Sequence, residues 1–95
     1  MFALISSIRV APEDAATLEQ AFAKVAAHVR ANEPGTLAYY MAHADRAGAY
    51  RVIEVYRDEE AFSDHKASDA FQDFRPRLGA MLLGAPEVEK MDVAV

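Results

Sequence analysis

The chain reads as an α+β domain of order β-α-β-β-α-β, with helices on one face of a four-stranded antiparallel sheet. Three observations predict it. Residues 2–10 alternate at a period of two; an apolar stripe then recurs at steps of three and four from Leu18 to Val29; and two further strand-like runs are parted by only four turn residues, Asp45-Arg46-Ala47-Gly48. Alternation is the period of a strand, three-and-four spacing that of a helix, and so short a turn between strands makes them antiparallel.

The first strand spans Phe2 to Val10. Phe2, Leu4, Ser6, Ile8 and Val10 share one face, and Ala3, Ile5, Ser7 and Arg9 the other. Both faces are largely apolar, which predicts a strand covered on two sides. Pro12 suits the first turn of a helix, where its missing N–H has no role, and Glu13 and Asp14 complement the helix dipole. Leu18, Phe22, Val25 and Val29 form that helix's buried stripe, and Asn32-Glu33-Pro34-Gly35 stops it. A second strand, Thr36 to Ala44, and a third, Ala49 to Arg57, form the hairpin, with Met41 expected opposite Val52, Tyr39 opposite Glu54 and Leu37 opposite Tyr56. Asp58 reads as an N-cap before Glu59 and Glu60, and Ser68 as a second cap. The helix after Ser68 carries Phe71, Phe74, Leu78 and Leu82 on one stripe, with a kink or break expected at Pro76. Gly84-Ala85-Pro86 ends the helical region, and Glu87 to Val95 alternates as a last strand. This is the split βαβ order of ferredoxin-like folds, and residues 1–95 read as one domain.

Helices on one face leave the other bare. That face carries Ala3 and Ile5, then Ala38, Tyr40 and Ala42, then Ile53 and Val55. An apolar sheet face is unstable in water, and the simplest cover is the same face of a second copy, a two-fold homodimer. Composition agrees: 53% of the chain is nominally hydrophobic, but 20 of its 95 residues are alanine, so little bulk remains for a self-sufficient core. Ten basic residues against fifteen acidic ones give a formal charge of -5, which argues against nucleic acid and anionic membranes as partners. The N-terminus lacks a basic n-region and a cleavage site, no run approaches a membrane span, and there is no cysteine, so the expected compartment is the cytoplasm.

The stretch Glu33-Pro34-Gly35-Thr36-Leu37-Ala38-Tyr39 and the longer one from Glu54 to Phe71 resemble the antibiotic biosynthesis monooxygenase (ABM) domain family. The second stretch is the more specific: Glu54-Val55-Tyr56, a short acidic helix, His65, then Ser68 and Phe71 at fixed steps. The resemblance covers nearly the whole chain. It implies a dimeric α+β barrel built from ferredoxin-like subunits. It also implies a pocket for a small aromatic molecule, since members include oxygenases that use neither metal nor flavin, isomerases and haem-degrading enzymes. The haem branch uses an Asn in the first strand and a His after the second helix's Phe; Ser6 and Arg75 stand at those places here, which argues against haem.

Four residues are candidates for chemistry. His65 shares the buried side of its helix with Phe62, and an imidazole can exchange a proton near neutral pH. Glu54 lies within an apolar strand, where a carboxylate must be paired, hydrogen-bonded or protonated. Tyr39 and Tyr56 flank it and can donate to a developing oxyanion. For each, packing or anchoring is the competing reading. Ser6, Phe22, Phe62, Phe71, Phe74 and Leu78 are the expected pocket walls, with Arg75 at the mouth. The three histidines, 28, 43 and 65, have no metal-ligand spacing, and no phosphate loop or nucleotide fingerprint offers a seat for flavin or nicotinamide, so no metal and no cofactor is expected. The resulting expectation is a cofactor-independent oxygenase acting with O2 on a phenolic or quinol-like ring, with His65 as base, Tyr56 and Tyr39 on the oxyanion and Glu54 orienting one of them. An isomerase using the same pocket and a non-catalytic ligand-binding dimer are the alternatives.

Overall fold

A computed structural model describes residues 1–95. Strand β1 (Phe2–Arg9) leads through a single 3-10 turn (Pro12–Asp14) into helix α1 (Ala15–Asn32), then strands β2 (Thr36–His43) and β3 (Ala49–Tyr56), helices α2 (Glu59–Ala67) and α3 (Asp69–Met81), and strand β4 (Glu87–Asp92). The sheet is antiparallel in the order β2-β3-β1-β4, so β1 is central, as its two apolar faces predict. No helix is long and apolar enough to cross a membrane.

The caps fall where the sequence places them. The Asp58 carboxylate accepts from the Ala61 amide at 2.8 Å, and the Ser68 hydroxyl accepts from the Phe71 amide at 3.2 Å. Two adjacent caps divide the second helical region into α2 and α3, so the chain has three helices. Pro76 does not break the helix: α3 runs through it. Its ring is exposed, so the Gln72 carbonyl that loses a partner can turn to water.

In the hairpin, Tyr39 lies opposite Glu54 and Met41 opposite Val52, whereas Tyr56 faces Thr36 rather than Leu37. A bulge between Thr36 and Ala38 supplies one extra residue, and Leu37, without a cross-strand partner, is 47% exposed. The last strand is shorter than its alternation suggests, ending at Asp92. Gly48 closes the hairpin at φ +82°, where a Cβ would also lie 2.2 Å from the Val10 carbonyl oxygen. Only glycine satisfies both conditions.

Leu18, Phe22, Val25 and Val29 of α1 pack with Ile8, Val10, Tyr39, Tyr50, Val52 and Phe74 in the main core. Phe2, Leu4, Tyr56 and Ala61 form a second, smaller cluster beneath α2. The opposite sheet face has no cover within the chain: Ile5 is 37% and Tyr40 59% exposed.

Candidate active site

Between the helices and the β1–β3 half of the sheet lies a cavity of about 250 Å³, bounded toward β4 by Pro86 and Val88. Its walls are Leu4, Ile8, Phe22, Phe62, Phe71, Phe74 and Leu78, with Val52 beneath; its polar groups are Ser6, Tyr39, Glu54, His65 and Lys66. Every site residue expected from sequence lines it except two. Arg75 is exposed on α3 and is not in the lining, and Tyr56 lies behind Glu54, fully buried in the smaller core. A larger hollow of about 370 Å³ sits on the bare side of the sheet among Arg9, Arg46 and Arg51. It is polar and contains no histidine or aromatic ring, whereas the smaller cavity holds four of the residues expected to carry or bind a substrate ring, Tyr39, Glu54, His65 and Phe71.

His65 is 1% exposed. Its Nδ1 is 2.9 Å from Glu33 Oε1, an oxygen that also accepts from the Thr36 hydroxyl at 2.8 Å. A carboxylate oxygen that already accepts from Thr36 is an acceptor for Nδ1–H as well, and in the neutral imidazole that tautomer leaves the lone pair on Nε2. Nε2 is buried with no hydrogen-bond partner. The imidazole is instead surrounded by rings, with centroids 4.9 Å from Tyr39, 5.7 Å from Tyr56 and 5.0 Å from Phe71. Glu33 Oε2 in turn lies 3.2 Å from Nε2 of His28, so two histidines that look scattered in sequence meet on one carboxylate. No three His, Asp or Glu side chains are arranged to hold a metal ion.

Glu33 is the functional candidate that residue patterns missed. It sits in the turn that ends α1, where Glu-Pro-Gly has a sufficient structural explanation. The structure adds a second one. A Cβ on Gly35 would lie 2.6 Å from Cβ of Ala61, so glycine there lets α2 approach the turn closely. The two stretches that carry the family resemblance thus converge, one bringing Glu33 and the other His65.

Glu54 accepts a 2.5 Å hydrogen bond from the Tyr56 hydroxyl. The Tyr56 hydroxyl is thus engaged with Glu54, and Tyr56 is not among the residues that line the cavity. Burial pushes the Glu54 carboxyl above the ordinary range, opposed by the Tyr56 hydrogen bond and by His65. Burial, then the charges of Glu54 and Glu33, raise the Tyr39 phenol, so it stays protonated. Tyr39 stacks on Phe22, centroids 4.7 Å apart and planes 4° from parallel, which holds the phenol in place at the cavity wall. The site thus offers an oriented base, a phenol donor and a carboxyl biased toward its neutral form. Such a set can take a proton from a ring hydroxyl and hold the resulting anion away from water.

The raised carboxyl has a consequence for stability. Below about pH 4, where a free glutamate is protonated, burying Glu54 carries no charge penalty. As pH rises through the raised folded value, the unfolded chain has already lost its proton and the folded one must ionise a buried group, so stability falls. Glu54→Gln, which still accepts from Tyr56, is expected to gain stability relative to the parent as pH climbs from 4 to 8. Urea unfolding across that range measures it, and a pH-independent difference would show that Glu54 titrates alike in both states.

The model of the family described as antibiotic biosynthesis monooxygenase matches residues 1–77. A crystal structure from Caulobacter crescentus CB15, whose name assigns it provisionally to the antibiotic biosynthesis monooxygenases, is 33% identical with a TM-score of 0.92, covering 99% of this chain and 90% of that one. A second, named antibiotic biosynthesis monooxygenase, is 25% identical with a TM-score of 0.86 over the whole of both chains. Rv0793 from Mycobacterium tuberculosis shares the fold, at 22% identity and a TM-score of 0.85, over 99% of this chain and 98% of that one. No curated protein matches the chain.

Proposed function

The chain belongs to the antibiotic biosynthesis monooxygenase family, and from that premise we propose that it oxidises a small phenolic or quinol-like ring with molecular oxygen, His65 serving as the base. The observation that carries this reading is the pairing of buried His65 with Glu33, the unpartnered Nε2 belonging to a side chain that lines an aromatic-walled cavity.

In this scheme His65 Nε2 takes the phenolic proton, directly or through a water, while Tyr39 donates to the ring oxygen. The phenolate then passes one electron to O2. The aryloxyl radical and superoxide combine at a ring carbon bearing hydrogen, giving a peroxide that takes the proton back from His65. Loss of the carbon-bound proton with cleavage of the O–O bond leaves a new carbonyl on the ring and releases water. One phenol and one O2 give one quinone and one H2O, and the proton borrowed by His65 is returned. The electrons come from the substrate, so the scheme calls on no metal or flavin. The protein binds the ring, moves the proton and limits access of water.

The working unit in this reading is a homodimer joined through the bare sheet face. Its support is the patch of Ala3, Ile5, Ala38, Tyr40, Ala42, Ile53 and Val55, apolar and on the sheet face that the helices of the chain do not cover.

Oxygen uptake with a panel of naphthols, hydroquinones and anthrones, metals chelated, tests the reaction. The expected result is oxygen-dependent quinone formation. Equal conversion of a substrate without oxygen would instead identify proton-transfer chemistry, and tight binding with no conversion a ligand-binding role.

A further inference from the structure

We propose that the substrate of this cavity carries an acidic substituent, such as a carboxylate, which Lys66 holds at the rim while the phenolic end points inward to His65. The proposal rests on the oxygenase reading for the identity of the ring, but its evidence is separate. Lys66 is the only cationic side chain in the cavity lining. Unlike His65 beside it, it is exposed, which puts it at the rim and His65 at the floor.

Its ammonium is also held ready. Nζ stands 4.1 Å from the centroid of the Phe62 ring, itself a cavity wall, so the apolar stem lies along the wall and the charge rests on an aromatic face. No carboxylate comes within ion-pairing distance of it. Lys90, another surface lysine near an aromatic ring, differs: its ammonium is paired with Glu59. Arg57 and Arg77 likewise have Asp58 and Asp73. The Lys66 carbonyl accepts from Gln72 Nε2 at 2.6 Å, and Ser68 caps the next helix, so the corner carrying Lys66 is anchored.

Charge fixes the orientation. Glu54 sits at the deep end, where burial already disfavours its own ionisation, so a second anion there is doubly disfavoured. Within this cavity the other ionisable lining groups are Glu54, His65 and Tyr39 at the buried end, so the free lysine at the rim is the seat the lining offers an anion. Size narrows the class further. At about 250 Å³ the cavity is smaller than the roughly 300–1,000 Å³ of drug-sized sites, which suits one or two fused rings with a short acidic arm.

Isothermal titration with 6-hydroxy-2-naphthoate and its methyl ester tests this without requiring turnover. The acid is expected to bind the parent about tenfold more tightly than the ester, the scale of one charge-assisted contact. Lys66→Met is expected to abolish the preference, Lys66→Arg to keep it, and His65→Gln to leave it intact. Equal binding of acid and ester, no binding of either, or a preference that survives in Lys66→Met overturns the proposal. A Lys66-dependent preference in a protein that consumes no oxygen with any phenol would instead overturn the oxygenase reading and leave the anion seat standing.

Discussion

Exchanging His65 for Gln is expected to lower kcat on a phenolic substrate by about 10²–10⁴-fold, the usual contribution of a positioned general base, with KM little changed. Glutamine is the informative replacement because its amide N–H can still donate to Glu33 Oε1, which now accepts from the imidazole at 2.9 Å. His65→Ala would leave that part-buried carboxylate short of a donor and lose about 1–3 kcal/mol of stability, mixing folding with chemistry. Glu33→Gln tests the other half of the pair. Its carbonyl can still accept from Nδ1, so the tautomer survives, but the negative charge that steadies a protonated imidazole is gone. A smaller loss of kcat than in His65→Gln is expected, with the fold intact by circular dichroism. Full turnover by a folded His65→Gln protein would remove the base from the scheme altogether.

Much of this was legible in the residues, and the reasons are local. Strand parity put Glu54, Tyr39, Val52 and Ser6 on the helix-facing side because side chains alternate strictly and one slip reverses the face. The caps at Asp58 and Ser68 could be read because a short oxygen-bearing side chain before a helix has a specific partner three residues on. What could not be read was anything depending on two distant segments meeting. Glu33 and His65 are 32 residues apart and no periodicity links them; only the packing of α2 over Gly35 brings them together. That Tyr56 and Arg75 stand outside the cavity lining was hidden for a related reason. Tyr56 has the right parity, but its hydroxyl reaches back two residues to Glu54, and Arg75 follows Phe74 around a helix, so that when Phe74 points inward Arg75 points away. The Leu37 pairing was lost to a bulge, which adds a residue without changing the composition of the strand.

The bare sheet face leads to the second large effect, on assembly. Only 19 of the 95 residues are buried in the single chain, and every residue of β4 is exposed, so an isolated protomer has little core to spare. Ile53 lies on β3 opposite Tyr40 on one side and Ile5 on the other, at the centre of the apolar face. In a two-fold interface a substitution there occurs twice on facing surfaces. Ile53→Asp would therefore place two unpaired carboxylates in a desolvated seam, at a penalty of several kcal/mol each. The parent is expected to run at twice the chain mass of 10.4 kDa in light scattering at micromolar concentration, and the variant at 10.4 kDa. Because association stabilises the folded state by mass action, the parent's melting temperature should rise with concentration and the variant's should be lower and independent of it. The cavity lies on the other side of the sheet from Ile53, so a folded variant that still binds 6-hydroxy-2-naphthoate would separate the seam from the site. A parent protein that is monomeric at micromolar concentration would show that the apolar face has some other cover.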